Sequence, residues 1–134
     1  MHRTSEILAT VRMLQEENLD VRTVTMGINI NDCASPDGDT LCRNVTAKIR
    51  RKASGLVRNC EALSTRYGLP VVNKRLAVSP AAMLLEGHRP DDALRLARAL
   101  DDATAAVGVD LIGGFTALVQ KGMTPGERVL IESL

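Results

Sequence analysis

The sequence predicts an α/β fold in which mostly parallel strands are joined by long crossover helices. Three observations carry this. Extended runs recur at residues 21–30, 71–78 and 109–115, the first of them rich in β-branched residues. Segments with apolar residues at steps of three or four separate them. Each separating segment is far longer than a hairpin turn, so crossover connections are required and parallel neighbours are the simplest arrangement. With 134 residues there is room for one core and no evident second domain.

Each element has its own signal. A first helix is expected over residues 4–18, with Ser5 as cap and Ile7, Leu8, Val11 and Leu14 on its core side. In the strand at 21–30, Val24, Met26, Ile28 and Ile30 share one face and Thr23, Thr25 and Asn29 the other. Gly27 lies inside that strand, where it costs stability unless the strand bends or something approaches the backbone closely. Residues 31–40, with S-P-D-G-D, read as a loop. One long helix is expected over 41–67, because Leu41, Val45, Ile49, Ala53, Leu56, Cys60, Leu63 and Tyr67 form a continuous stripe. Gly68 stops it and Pro70 follows.

The strand at 71–78 sets Val72, Lys74, Leu76 and Val78 on one face and Val71, Asn73, Arg75 and Ala77 on the other, so its two adjacent charges must face opposite sides. Ser79-Pro80 opens a short helical stretch ending near Gly87. A helix over 91–107 buries Ala93, Leu96, Ala97, Leu100, Thr104 and Val107, carries Asp91 and Asp92 in its first turn, and ends at Gly108. After the strand at 109–115, Thr124 caps a last short helix. Three strands are few for a well-covered sheet, so more polypeptide is expected to complete it.

Composition narrows the function classes. The apolar fraction is 45%, with one Phe and one Tyr, so the core is aliphatic. The formal charge is +1. Seven basic residues against Glu61 lie between Leu41 and Tyr67, and five acids against Arg95 and Arg98 lie between Pro90 and Asp110. The near-neutral total and the lack of stacking aromatics argue against a nucleic-acid binder. No long apolar run exists to span a membrane, and the start does not read as a signal peptide. Three cysteines without metal-ligand spacing, in a chain without a leader, point to the cytoplasm. His2 and His88, the only histidines, read as solvated, and no histidine triad or metal cluster is expected.

Parallel sheets usually bind ligands at the carboxyl ends of their strands. There the order places Asn29, Asn31, Asp32 and Cys33 after the first strand, Ser79 after the second, and Gly113-Gly114 in the third. Asp32-Cys33 is the candidate catalytic pair, although a neighbouring acid raises a thiol's pKa, and a buried loop cysteine is the structural alternative. Asn73, Lys74 and Arg75 could hold a carboxylate or phosphate, or could form an internal salt-bridge set with Asp32 or Asp110. Gly113 and Gly114 permit close backbone approach or present N–H groups to an anion. No dinucleotide fingerprint, P-loop, H-E-x-x-H or G-x-S-x-G occurs.

Three stretches together carry a family resemblance: T-M-G-I-N-I-N-D-C at 25–33, V-V-N-K-R-L-A-V-S-P at 71–80 and G-V-D-L-I-G-G-F-T-A-L-V-Q-K-G at 108–122. In order and spacing the sequence resembles the start of the UPF0210 family, also called DUF711. The resemblance spans nearly the whole chain and implies that residues 1–134 are the amino-terminal third of a member. It also implies a larger α/β barrel, similar in fold to pyruvate formate-lyase and other glycyl-radical-type barrels. Asp32-Cys33, Asn73-Lys74-Arg75 and Gly113-Gly114-Phe115 match the family's motifs and would face the barrel interior. The resemblance names no reaction and no cofactor, because one fold hosts many functions. Two functions are therefore expected to compete. One is an enzyme binding a small anionic metabolite in a barrel interior. The other is a non-catalytic binding or assembly subunit that completes a barrel with a second polypeptide, or with the remainder of the same protein, in an oligomer.

Overall fold

Parallel pairing of strands organises the chain. In the computed structural model, which describes residues 4–16 and 20–134, β1 (Val21–Ile28) runs beside β2 (Val71–Val78), with Val21 opposite Val71 and Ile28 opposite Val78. β3 (Leu111–Gly113) adds to the other edge of β2, also parallel, in the order β1-β2-β3. The expected parallel α/β arrangement is present as an open three-stranded sheet. Among the described residues it does not close into a barrel.

The helical periodicities explain which side of the sheet is covered. α2 (Gly38–Ala53) buries Leu41, Val45, Ile49 and Ala53 at steps of four, and α4 (Pro90–Val107) buries Ala93, Leu96, Leu100, Ala103 and Thr104. The two helices pack on each other, and their stripes join Ile28, Leu76 and Val78 in one core. Each fully buried leucine there contributes roughly 1.5–3 kcal/mol relative to an exposed one. α3 (Leu56–Tyr67) buries Leu56 and Cys60 and packs at β2, while α5 (Pro125–Glu132) packs on the 3₁₀ turn Ala81–Leu84 that follows β2.

Four expectations are corrected. The helix expected over 41–67 is two helices, because Ser54 and Gly55 interrupt it: Gly55 is a weak helix former, and the Ser54 hydroxyl donates back to the Arg51 carbonyl. The first of them starts at Gly38, inside the expected loop, because the Asp37 side chain caps it by accepting from the Thr40 amide at 2.8 Å. His88 is not solvated. Its side chain is 3% exposed, with Nε2 2.8 Å from the Ser35 carbonyl and Nδ1 3.5 Å from the Asp92 carboxylate. Finally, α1 (Thr4–Gln15) has Ser5 inside its first turn, and its expected core residues Ile7, Leu8 and Val11 are exposed. An amphipathic pattern shows that a face suits burial, not that this chain buries it. The Leu14 side chain, the expected end of that helix at Asn18, and His2 lie outside the described residues.

The carboxyl-terminal helix is fastened by a capping box. Thr124 Oγ accepts from the Glu127 amide at 3.3 Å, and the Glu127 carboxylate accepts from the Thr124 amide at 2.7 Å and the Leu118 amide at 2.8 Å. These backbone donors, Thr124 first, hold the Glu127 carboxyl below its ordinary pKa. A depressed folded-state pKa stabilises the fold above the usual glutamate range, and that contribution is lost as pH falls through the lowered value. Glu127→Gln is therefore expected to lower stability at neutral pH and to flatten the acid limb of the stability–pH curve. Denaturant titrations at several pH values check this; an unchanged acid limb contradicts it.

Candidate functional site

Strand register decides which candidate residues meet. Ile28 pairs with Val78, so the loops leaving β1 and β2 emerge side by side. Ser79 ties them together: its hydroxyl accepts from the Ile30 amide at 3.0 Å and donates to Asn31 Oδ1 at 2.8 Å, and its amide donates to the Ile28 carbonyl at 3.2 Å. Asn29 Oδ1 accepts from the Asn31 amide at 2.8 Å and lies 3.5 Å from the Ser79 hydroxyl. Asn29, Asn31 and Ser79 thus converge at the strand ends, as the order of elements predicts.

Asp32 and Cys33 turn away into a 3₁₀ turn, Asn31–Cys33. Asp32 forms an ion pair with Lys48 of α2, and that hydrogen bond holds its carboxyl below the ordinary range. Cys33 is 4% exposed and belongs to the core; its carbonyl accepts from the Asn44 side chain at 3.3 Å. Burial, and next the adjacent Asp32 charge, push its thiol pKa up. In this state Cys33 is a protonated, shielded thiol.

The Asn73-Lys74-Arg75 run divides by strand alternation. Leu76 and Val78 enter the helix-covered core, so Lys74 shares their side and Asn73, Arg75 and Ala77 take the other. The Asn73 side chain donates to the Arg22 carbonyl at 3.1 Å and staples β2 to β1. Asp110 grips the Lys74 backbone, accepting from its amide at 2.7 Å and donating to its carbonyl at 2.8 Å. Asp32 is engaged by Lys48 and Asp110 by backbone, so the alternative internal salt-bridge set does not form among the described residues. Arg75 remains. It sits in the central strand between Thr25 and Leu111, and its Nε is shielded from solvent with no hydrogen-bond partner. An orphaned, shielded donor of a charged group is costly unless a ligand or further polypeptide supplies an acceptor.

The two glycines have different roles. Gly114 has φ 119° and lies so close to β2 that a Cβ would run into the Val78 carbonyl and side chain. Its carbonyl accepts from the Ala81 amide at 2.8 Å, which locks the chain after β3 to the chain after β2. Gly113 is exposed beside Ala77, with open space where a Cβ would stand.

At the free edge of β1, Met26, Gly27, Ile28, Asn29, Lys48 and Lys52 line a cleft of about 450 Å³. Sequence reasoning placed Asn29 at a strand end but did not associate it with the two lysines. Their spacing of four residues on a helix was the available signal. Among the described residues, no helix is long and apolar enough to cross a membrane, and no group of three His, Cys, Asp or Glu is placed to hold a metal ion.

Comparison with known proteins adds the family context. A family model described as an uncharacterised ACR (DUF711) matches residues 12–134. A UPF0210 protein of Desulfovibrio desulfuricans is 50% identical over 129 residues, covering 96% of this chain and 28% of that protein. One from Ligilactobacillus salivarius is 46% identical over 131 residues, covering 98% of this chain and 29% of the relative. The chain therefore spans less than a third of the length of these curated relatives.

The buried, protonated state of Cys33 has a chemical consequence. In the folded protein it is expected to react with iodoacetamide at neutral pH far more slowly than a free thiol, and to label fully only on unfolding. Peptide mapping by mass spectrometry after timed labelling reads this; rapid modification of Cys33 in the folded protein contradicts it.

Proposed function

The chain belongs to the DUF711 family, and from that premise we propose that it supplies one wall of an enclosed site for a small anionic metabolite. The orphaned Arg75 Nε on the uncovered face of the sheet carries this reading. Guanidinium recognises carboxylate or phosphate through paired N–H donors, and a central-strand position is rigid enough to orient such a group. Parallel sheets are ordinarily covered on both faces, and here, among the described residues, Leu76 and Val78 enter the core while Gly27, Ala77 and Gly113 on the other side are exposed. The much greater length of the relatives supports covering the Arg75 side with further polypeptide. The resemblance to glycyl-radical-type barrels suggests the form of that enclosure, a larger α/β barrel with Arg75 and Gly113 facing inward.

In its enzymatic form the reading gives Arg75 the role of orienting the substrate's acidic group. Asp32 and Cys33 are the reactive candidates, once Cys33 is unshielded and its link to Asp32 is altered. Lys74, on the covered side, would act through the backbone clasp it shares with Asp110. Free thiols at Cys33, Cys42 and Cys60 suit a reducing compartment such as the cytoplasm. One observation favours the second reading, an assembly subunit: Ile7, Leu8 and Val11 leave an apolar helix face exposed, as a surface that meets a second polypeptide would.

The test is oxyanion binding by the natural protein that carries this chain. Arg75→Gln is expected to weaken binding of inorganic phosphate or a simple carboxylate by roughly 10- to 100-fold, the loss of a charge-assisted pair. Arg75→Lys should restore only part of it. Titration followed by ligand-observed NMR measures both. Equal affinity in wild type and Arg75→Gln removes the anion-site reading and leaves the assembly reading.

A further inference from the structure

Beside Arg75 the uncovered face has a feature that the chain's own packing does not explain. Gly27, Ala77 and Gly113 stand in register across the three strands, and all three are exposed. Strand alternation puts them on the same side as Arg75. A Cβ at Gly27 or Gly113 would meet nothing within 4 Å, and neither residue has a positive φ. Glycine inside a strand weakens it and often marks a place where a ligand or another backbone comes close. Gly114 is the contrast, since there the chain itself fills the space.

The row has defined neighbours. Same-face residues along a strand are about 7 Å apart and adjacent strands about 5 Å apart. The row is therefore a floor about 10 Å wide on which nothing rises above the methyl of Ala77. One step toward the strand starts lies Arg75, with its orphaned Nε. One step toward the strand ends lie Asn29 and Ser79, already joined to each other through their loops.

We infer that this floor seats the body of the ligand whose charged end Arg75 receives, which makes the ligand a small, flat organic oxyanion. Its carboxylate or phosphate meets the Arg75 guanidinium, and its planar body lies against the peptide planes of Gly27, Ala77 and Gly113. Its far edge then reaches the carboxamide and hydroxyl of Asn29 and Ser79. The inference rests on the anion-site reading of Arg75 and adds shape to it: a single planar ring can lie against the whole row at once, whereas a branched anion touches it at fewer points.

The test uses the natural protein with benzoate and phenyl phosphate as flat probes, and inorganic phosphate as a charged probe without a body. Ala77→Val raises the floor by two methyl groups while placing a good strand former at an exposed strand position. Titration by ligand-observed NMR is expected to show binding of a flat probe weakened roughly tenfold or more by Ala77→Val, with inorganic phosphate unaffected. Whether benzoate or phenyl phosphate binds more tightly identifies the charged group. Gly113→Ala, for which the chain has space, carries the same readout if Ala77→Val fails to fold. Two results overturn the inference: no binding of either flat probe, or unchanged flat-probe binding in both variants, which together with a fall in their thermal stability would mean that polypeptide covers the floor. Weakened flat-probe binding in Ala77→Val together with no effect of Arg75→Gln would uphold the floor and reject Arg75 as its charged end, so the two readings fail separately.

Discussion

The alternation of β2 is the constraint on which the rest of this structure depends. Paired on both edges, it can place its side chains only above or below the sheet. Leu76 and Val78 go to the helices, which commits α2 and α4 to that side and draws their buried stripes into one core. Arg75 and Ala77 then have no choice but the opposite side, where Gly27, Ala77 and Gly113 are exposed. A shift of one residue in the pairing of β2 would exchange the core and the candidate site.

Among the described residues, the polar groups that lock this frame have partners, and one shielded side-chain atom, Arg75 Nε, has none. Ser79 and the two asparagines lock the strand ends, Asp110 clasps the backbone of Lys74, and Asp32 is engaged by Lys48. Across the helical layer, Arg95 bridges Asp39 and Asp92, joining α2 to α4. Those interactions are structural, and the exposed ion pairs among them contribute little individually. Against them the orphaned Nε of Arg75 stands out physically, because a shielded donor without an acceptor is a state that native packing ordinarily avoids.

The two sides of the sheet also differ in chemistry. The covered side holds Cys33 as a protonated thiol in an aliphatic core. The uncovered side holds a cation and a flat row of small residues. Cys33 and Arg75 therefore do not share a cleft in this chain, and chemistry that used both would require the 3₁₀ turn bearing Cys33 to move relative to α2 and β1.

Much of the architecture was legible in the sequence. Period-two and period-four apolar patterns located the three strands and the buried stripes of α2 and α4, and Gly68, Gly108 and Thr124 marked element ends, because local backbone preference and amphipathicity are written in adjacent residues. The presence of Arg75 and Lys74 on opposite faces followed from alternation alone. What only the tertiary structure decided was partnership: which acid took Lys48, whether His88 was buried, whether the apolar face of α1 met anything, and which charged atom was left without an acceptor. Those outcomes depend on distances between residues tens of positions apart, which crossover geometry sets and local pattern does not record.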